Sequence, residues 1–123
     1  MECPEIILIE DDQAIRETFQ ICLESEGYKV ESFANGKVAL ERLRKKPQPC
    51  FVLLDLMMPV MNGWQFREEQ RGDPAFASVP VVIISADTSA GHEAHAMGAR
   101  AFLQKPVELD ELLTTVARQA HGR

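Results

Sequence analysis

Hydrophobic and polar positions along this chain switch repeatedly between strand and helix patterns. Glu5-Ile6-Ile7-Leu8-Ile9 is a short, continuous apolar run that stops at Glu10-Asp11-Asp12, as expected for a parallel strand covered on both faces. Ile15, Phe19, Cys22 and Leu23 then fall at i, i+4, i+7 and i+8, a single helix stripe that Gly27 ends. Tyr28 to Phe33 reads as a second strand, and Asn35 caps a helix that buries Ala39, Leu40 and Leu43 before Pro47 stops it. Cys50 to Leu54 is another all-apolar strand, ending in Asp55. Pro59 and an Asn62-Gly63 turn lead from it into a helix from Trp64 to Arg71, whose apolar face is thinned by Arg67 and Gln70. Val79 to Ile84 forms a fourth strand ending at Ser85. The helix that follows, to Met97, contains Gly91 and much alanine, so it should pack lightly and be mobile. Ala101 to Leu103 makes a fifth strand, and Lys105-Pro106 opens a helix with Leu109, Leu112, Leu113 and Val116 on one stripe.

Strands alternating with helices need parallel pairing and right-handed crossovers. The expected fold is therefore α/β and doubly wound, flavodoxin-like, with a five-stranded parallel sheet in the order 2-1-3-4-5 between five helices. A chain of 123 residues fits one domain spanning residues 1–123, burying roughly two-thirds of its unfolded surface. In such sheets ligands bind beyond the carboxyl ends of the strands, where strand order reverses, here between the first and third strands.

Composition narrows the classes. No apolar run approaches the roughly 20 residues that cross a bilayer, and Met1-Glu2-Cys3-Pro4 lacks the charged and apolar regions of a secretory signal. The expectations are no membrane and a cytoplasmic location. A net charge of −6, with Arg44-Lys45-Lys46 as the one basic run at a helix end, argues against a nucleic-acid partner. Cys3, Cys22 and Cys50 are odd in number and lack metal-ligand spacing, which favours thiols in a reducing compartment over a disulfide.

At the carboxyl ends of the first, third, fourth and fifth strands stand Glu10-Asp11-Asp12, Asp55, Ser85 and Lys105. Crowded carboxylates repel one another unless a divalent cation neutralises them, and hard oxygen ligands suit Mg²⁺. Asp55 is then free to act as a nucleophile toward phosphorus, with the Lys105 ammonium and the Ser85 hydroxyl meeting phosphoryl oxygens. Taken singly, each has a commonplace reading: Asp12 as a helix cap, Ser85 as a turn residue, Lys105 as a surface charge. His92 and His95 read as a solvated helix face. Spacing alone does not choose Asp11 over Asp12 as a ligand.

The chain resembles the response-regulator receiver family of two-component signalling through Ile7-Leu8-Ile9-Glu10-Asp11-Asp12, Val52-Leu53-Leu54-Asp55-Leu56-Met57-Met58-Pro59, Ile84-Ser85-Ala86 and Lys105-Pro106. The resemblance implies Asp55 as phosphoacceptor, Asp11 as a direct Mg²⁺ ligand, Glu10 acting mostly through water, and Met57 as a ligand through its backbone carbonyl. It further implies Ser85 and Phe102 as switch residues, Lys105 as the phosphate-pairing lysine and a cis Lys105-Pro106 bond. The phosphodonor would be a histidine kinase or a histidine phosphotransfer protein. An output protein would read the face of helix four, strand five and helix five, and dimerisation through the fourth and fifth helices is left open. A phosphatase of the haloacid dehalogenase type needs an Asp-x-Asp pair. Met57 stands at the second position and cannot serve as a general acid, so the expected role is a switch and not an enzyme. A degenerate receiver that docks without phosphorylation is disfavoured because the acidic residues, Ser85 and Lys105 are all present.

Overall fold

The strands and helices form in strict alternation: β1 (Glu5–Ile9), α1 (Gln13–Ser25), β2 (Lys29–Phe33), α2 (Gly36–Leu43), β3 (Phe51–Asp55), α3 (Gly63–Arg71), β4 (Val81–Ser85), α4 (Ala90–Ala96), β5 (Ala101–Gln104) and α5 (Leu109–Ala120). The structure, a computed structural model, describes residues 5–45, 49–56, 61–87 and 90–120. All strand pairs are parallel, as the alternation predicts, and the order is the expected β2-β1-β3-β4-β5. Successive side chains of a strand point to opposite faces, so the apolar runs feed two cores. Ile7, Ile9, Val52, Leu54, Val81 and Ile83 pack against α2, α3 and α4. Ile6, Leu8, Phe51, Leu53, Val82 and Ile84 pack against α1 and α5.

Local chemistry sets the boundaries. α1 closes where the amides of Gly27 (φ 96) and Tyr28 reach back to the carbonyls of Glu24 and Leu23 at 3.0 and 3.2 Å, the paired bonds of a left-handed helix end. Asn62 caps α3 in a reciprocal box with Gln65, at 2.9 and 3.0 Å. Two boundaries differ from the pattern. β4 begins at Val81 because Pro80 has no amide for the ladder, and the Pro80 carbonyl instead accepts from the Val52 amide at 2.9 Å. α5 begins at Leu109, after the cis Lys105–Pro106 bond rather than at it.

Gln70 does not thin an exposed face. It is fully buried, and its Nε2 donates to the carbonyls of Phe76 and Val79 at 3.1 and 2.8 Å while its Oε1 accepts from Arg67 Nη1 at 2.9 Å. Gln70→Leu keeps the bulk but leaves these partners unpaired, so urea unfolding should show a loss of about 2–3 kcal/mol. A loss below about 0.5 kcal/mol would mean the loop carbonyls find other donors. The thiol expectation also fails in part: Cys22 is free, but Cys50 is disulfide-bonded. The Cys50 amide donates to the Glu5 carbonyl at 2.9 Å, and Cys3 lies outside the described residues.

Candidate functional site

Ile9 pairs with Leu54, so the next residues, Glu10 and Asp55, leave the sheet side by side. β5 lies on the far side of β4, and the Lys105 amide bonds to the Ser85 carbonyl at 2.9 Å. From there its side chain reaches back across the edge, with Nζ at 3.0 Å from Glu10 Oε1 and 3.2 Å from Asp55 Oδ2. Carboxylate oxygens of Glu10, Asp11 and Asp55 lie within 4.8 Å of one another, the one such acidic group found among the described residues. Asp12 is occupied elsewhere: its Oδ1 accepts from the Ile15 amide at 3.1 Å and caps α1. Of the two, Asp11 is the one grouped with Glu10 and Asp55.

Burial and charge make this edge electrostatically tense. Glu10 and Asp55 are almost fully shielded from solvent, while Asp11 is exposed. Burial first, and then the Glu10 carboxylate, raise the Asp55 pKa to about 7 against the pull of Lys105. Burial works against the Lys105 ammonium, yet its hydrogen bond to Glu10 and the charges of Asp55 and Glu10 hold its pKa above the ordinary lysine value. Glu10 Oε1 is buried and, despite the ion pair, accepts no hydrogen bond among the described residues. Three carboxylates grouped around one ammonium fit a hard divalent cation such as Mg²⁺.

The remaining candidates stand around this cluster. Ser85 is buried at the end of β4, and its Oγ accepts from the Asp87 amide at 3.1 Å. Phe102, on β5, is half-buried against the α4 side of the core. Met57, expected to offer a backbone carbonyl, lies outside the described residues. His92 and His95 are exposed on α4, as a solvated face should be.

Two contributors escaped the sequence reading. Arg16 Nη1 donates to the Glu10 carbonyl at 2.8 Å and braces the β1–α1 corner from α1; no motif at the level of residue types marks it. A Cβ at Gly63 would stand 2.5 Å from Leu56 Cδ2 and 2.8 Å from Leu56 Cα, so glycine lets α3 begin directly against the backbone that follows Asp55. Gly63→Ala should push these apart, costing about 1–3 kcal/mol in chemical unfolding. An unchanged midpoint would show that α3 can shift freely.

The family model described as "Response regulator receiver domain" matches residues 6–117. Response regulator Rre1 of Synechocystis sp. is 37% identical over 110 residues, covering 87% of this chain and 47% of that protein. The DNA-binding dual master transcriptional regulator RpaA of the same organism is 33% identical over 118 residues, covering 92% and 47%. The chain therefore spans about half the length of these curated relatives. The expected absence of a nucleic-acid partner finds no support here, since one relative is itself named as DNA-binding. Among solved structures, the chemotaxis response regulator CheY4 of Vibrio cholerae is 29% identical with a TM-score of 0.86, covering 95% of this chain and 98% of that one. The receiver domain of sensor histidine kinase PA1611 from Pseudomonas aeruginosa is 25% identical with a TM-score of 0.87, covering 98% and 99%, and is described with a magnesium ion coordinated in its active site cleft. No helix among the described residues is long and apolar enough to cross a membrane. The sheet order, the acidic edge and the match over residues 6–117 converge on one conclusion: the chain belongs to the response regulator receiver domain family of two-component signalling.

Proposed function

We propose that this chain, residues 1–123 taken as one receiver unit, accepts a phosphoryl group on Asp55 in a Mg²⁺-dependent reaction with a histidine kinase or a histidine phosphotransfer protein. The observation that carries this reading is the Asp55 carboxylate itself, buried at the sheet edge, 3.2 Å from the Lys105 ammonium and grouped with Glu10 and Asp11. In the transfer, an Asp55 oxygen forms the new P–O bond as the P–N bond of phosphohistidine breaks, and the departing imidazole takes up a proton. Glu10, Asp11, Asp55 and the Met57 backbone carbonyl would hold Mg²⁺, which when bound offsets the charge of the transferring phosphoryl group. Lys105 then exchanges its contact with Asp55 for a phosphoryl oxygen, and the Ser85 hydroxyl turns from the Asp87 amide to donate to another.

Ser85 moving inward frees space for Phe102 to rotate and alters the face of α4, β5 and α5 that an output protein reads. The chain is a switch whose chemistry stops at its own phosphorylation and dephosphorylation, in the cytoplasm with the kinase. Borohydride reduction after treatment with a phosphohistidine protein and Mg²⁺ tests the acceptor: an acyl phosphate at position 55 is converted to homoserine, which peptide mass spectrometry locates. Homoserine at Asp11 or Asp12 instead would move the acceptor to the first strand end.

A further inference from the structure

Arg67 and Gln70, the residues that interrupt the apolar stripe of α3, have no place in the chemistry at Asp55. They belong to a polar chain that ends on α4. Gln70 holds the Phe76 and Val79 carbonyls and accepts from Arg67 Nη1. Arg67 Nε donates to the Met97 carbonyl at 2.9 Å, and Arg71 Nη2 donates to the same oxygen at 2.6 Å. Met97 closes α4, where the amides of Gly98 (φ 74) and Ala99 reach back to the carbonyls of His95 and Ala94 at 3.0 Å each. A Cβ on Gly98 would stand 3.2 Å from Arg71 Nη2 and 3.4 Å from Arg67 Nη2, so glycine at this turn gives both guanidiniums their room.

Gathering two like charges on one carbonyl is costly. Burial, and then the Arg71 charge, hold the Arg67 pKa below its ordinary value. α4 begins Ala-Gly-His; Ala94 is buried, Met97 packs against the core, and His92 and His95 stand in solvent. Phe102 lies close by, its Cδ2 3.9 Å from where a Gly91 Cβ would be. The Ser85 hydroxyl accepts from the Asp87 amide at 3.1 Å, the contact that Ser85 leaves on phosphorylation in the proposed mechanism, so on that reading these contacts belong to the unswitched arrangement.

We propose that Arg67 and Arg71 form a latch that fixes the C-terminal end of α4 in the unswitched arrangement and thereby opposes phosphorylation at Asp55. The proposal rests on the reading of Asp55 as phosphoacceptor. Charge-assisted bonds that stabilise one arrangement must weaken any ligand that favours the other, and the coupling is reciprocal. Releasing the latch should therefore tighten binding at Asp55. Simple loss of positive charge would act the opposite way on an anion, so the sign separates the two causes.

The test uses the whole chain as parent, as the double variant Arg67→Met/Arg71→Met, and as Arg71→Met alone, which leaves the buried Arg67–Gln70 pair intact. Amide exchange at Gly98 and Ala99 should rise about tenfold in the double variant while the β1, β3 and β4 amides stay protected. The half-saturating concentration of fluoroberyllate with Mg²⁺, a mimic of carboxyl-bound phosphoryl, should fall about fivefold in the double variant and by less in Arg71→Met. Unchanged exchange at Gly98 and Ala99 would overturn the latch, and faster exchange with unchanged or weaker fluoroberyllate binding would overturn its coupling to the site. A parent that binds no fluoroberyllate at all would instead sink the phosphoacceptor reading, whatever the exchange data show.

Discussion

Asp55→Asn should lose phosphoryl uptake completely and, without divalent cations, should be more stable than the parent. The first effect follows because an amide offers no anionic oxygen to phosphorus. The second follows from the pKa. Burial and Glu10 raise Asp55 from 3.8 to about 7, so between these values the folded chain binds more protons than the unfolded one. The sign is that of a group whose charge opposes folding: the contribution of Asp55 to stability is fully present below pH 4 and is lost as pH rises through 7. The rise corresponds to roughly 4 kcal/mol at most, and Lys105 and Glu10 share it, so about 1–3 kcal/mol should be recovered at pH 8. Parent and variant compared by urea unfolding in a chelator at pH 8 and pH 4 should differ at the first and converge at the second. A variant less stable than the parent at pH 8 would mean the Asp55 charge is well accommodated, against the electrostatic account of this edge.

Lys105→Met should have the opposite effect on stability. The ammonium is the cation within ion-pair distance of both Glu10 and Asp55, and its removal leaves two buried carboxylates facing each other. Breaking a buried pair from one side costs about 3–5 kcal/mol. Protonation of Asp55 relieves part of this, so we expect a loss of about 2–4 kcal/mol at pH 8 that shrinks as pH falls toward 5. Added Mg²⁺ should recover much of the loss by supplying charge to the same oxygens, which thermal unfolding with and without the ion would measure. A loss that is independent of both pH and Mg²⁺ would assign Lys105 a packing role through its methylene stem.

That these two residues meet Glu10 at one sheet edge was legible in the sequence because alternating strands and helices pair in parallel and bring strand carboxyl ends together. β1, β3 and β4 are apolar on both faces and therefore continuous in sequence, so the first charged residue after β1 and the charge that closes β3 mark one edge. What stayed hidden depended on direction rather than residue type. Gln70 looks like an interruption of the α3 stripe until the loop carbonyls of Phe76 and Val79 are seen to need a donor. Asp11 and Asp12 are equivalent as letters, and the helix that begins at Gln13 separates them by taking Asp12 as its cap. Arg16 acts on a backbone carbonyl, and the approach of Gly63 to Leu56 is a matter of van der Waals distance. Neither carries a spacing signature.

The most direct test of the account is intact mass after incubation with acetyl phosphate, for the parent and Asp55→Asn, each with Mg²⁺ and with chelator. One added phosphoryl group is expected in the parent with Mg²⁺, and none in the other three samples. Phosphoryl uptake that persists in Asp55→Asn, or that does not need the metal, would contradict the assignment of Asp55 and its acidic neighbours as a Mg²⁺-dependent phosphoacceptor site.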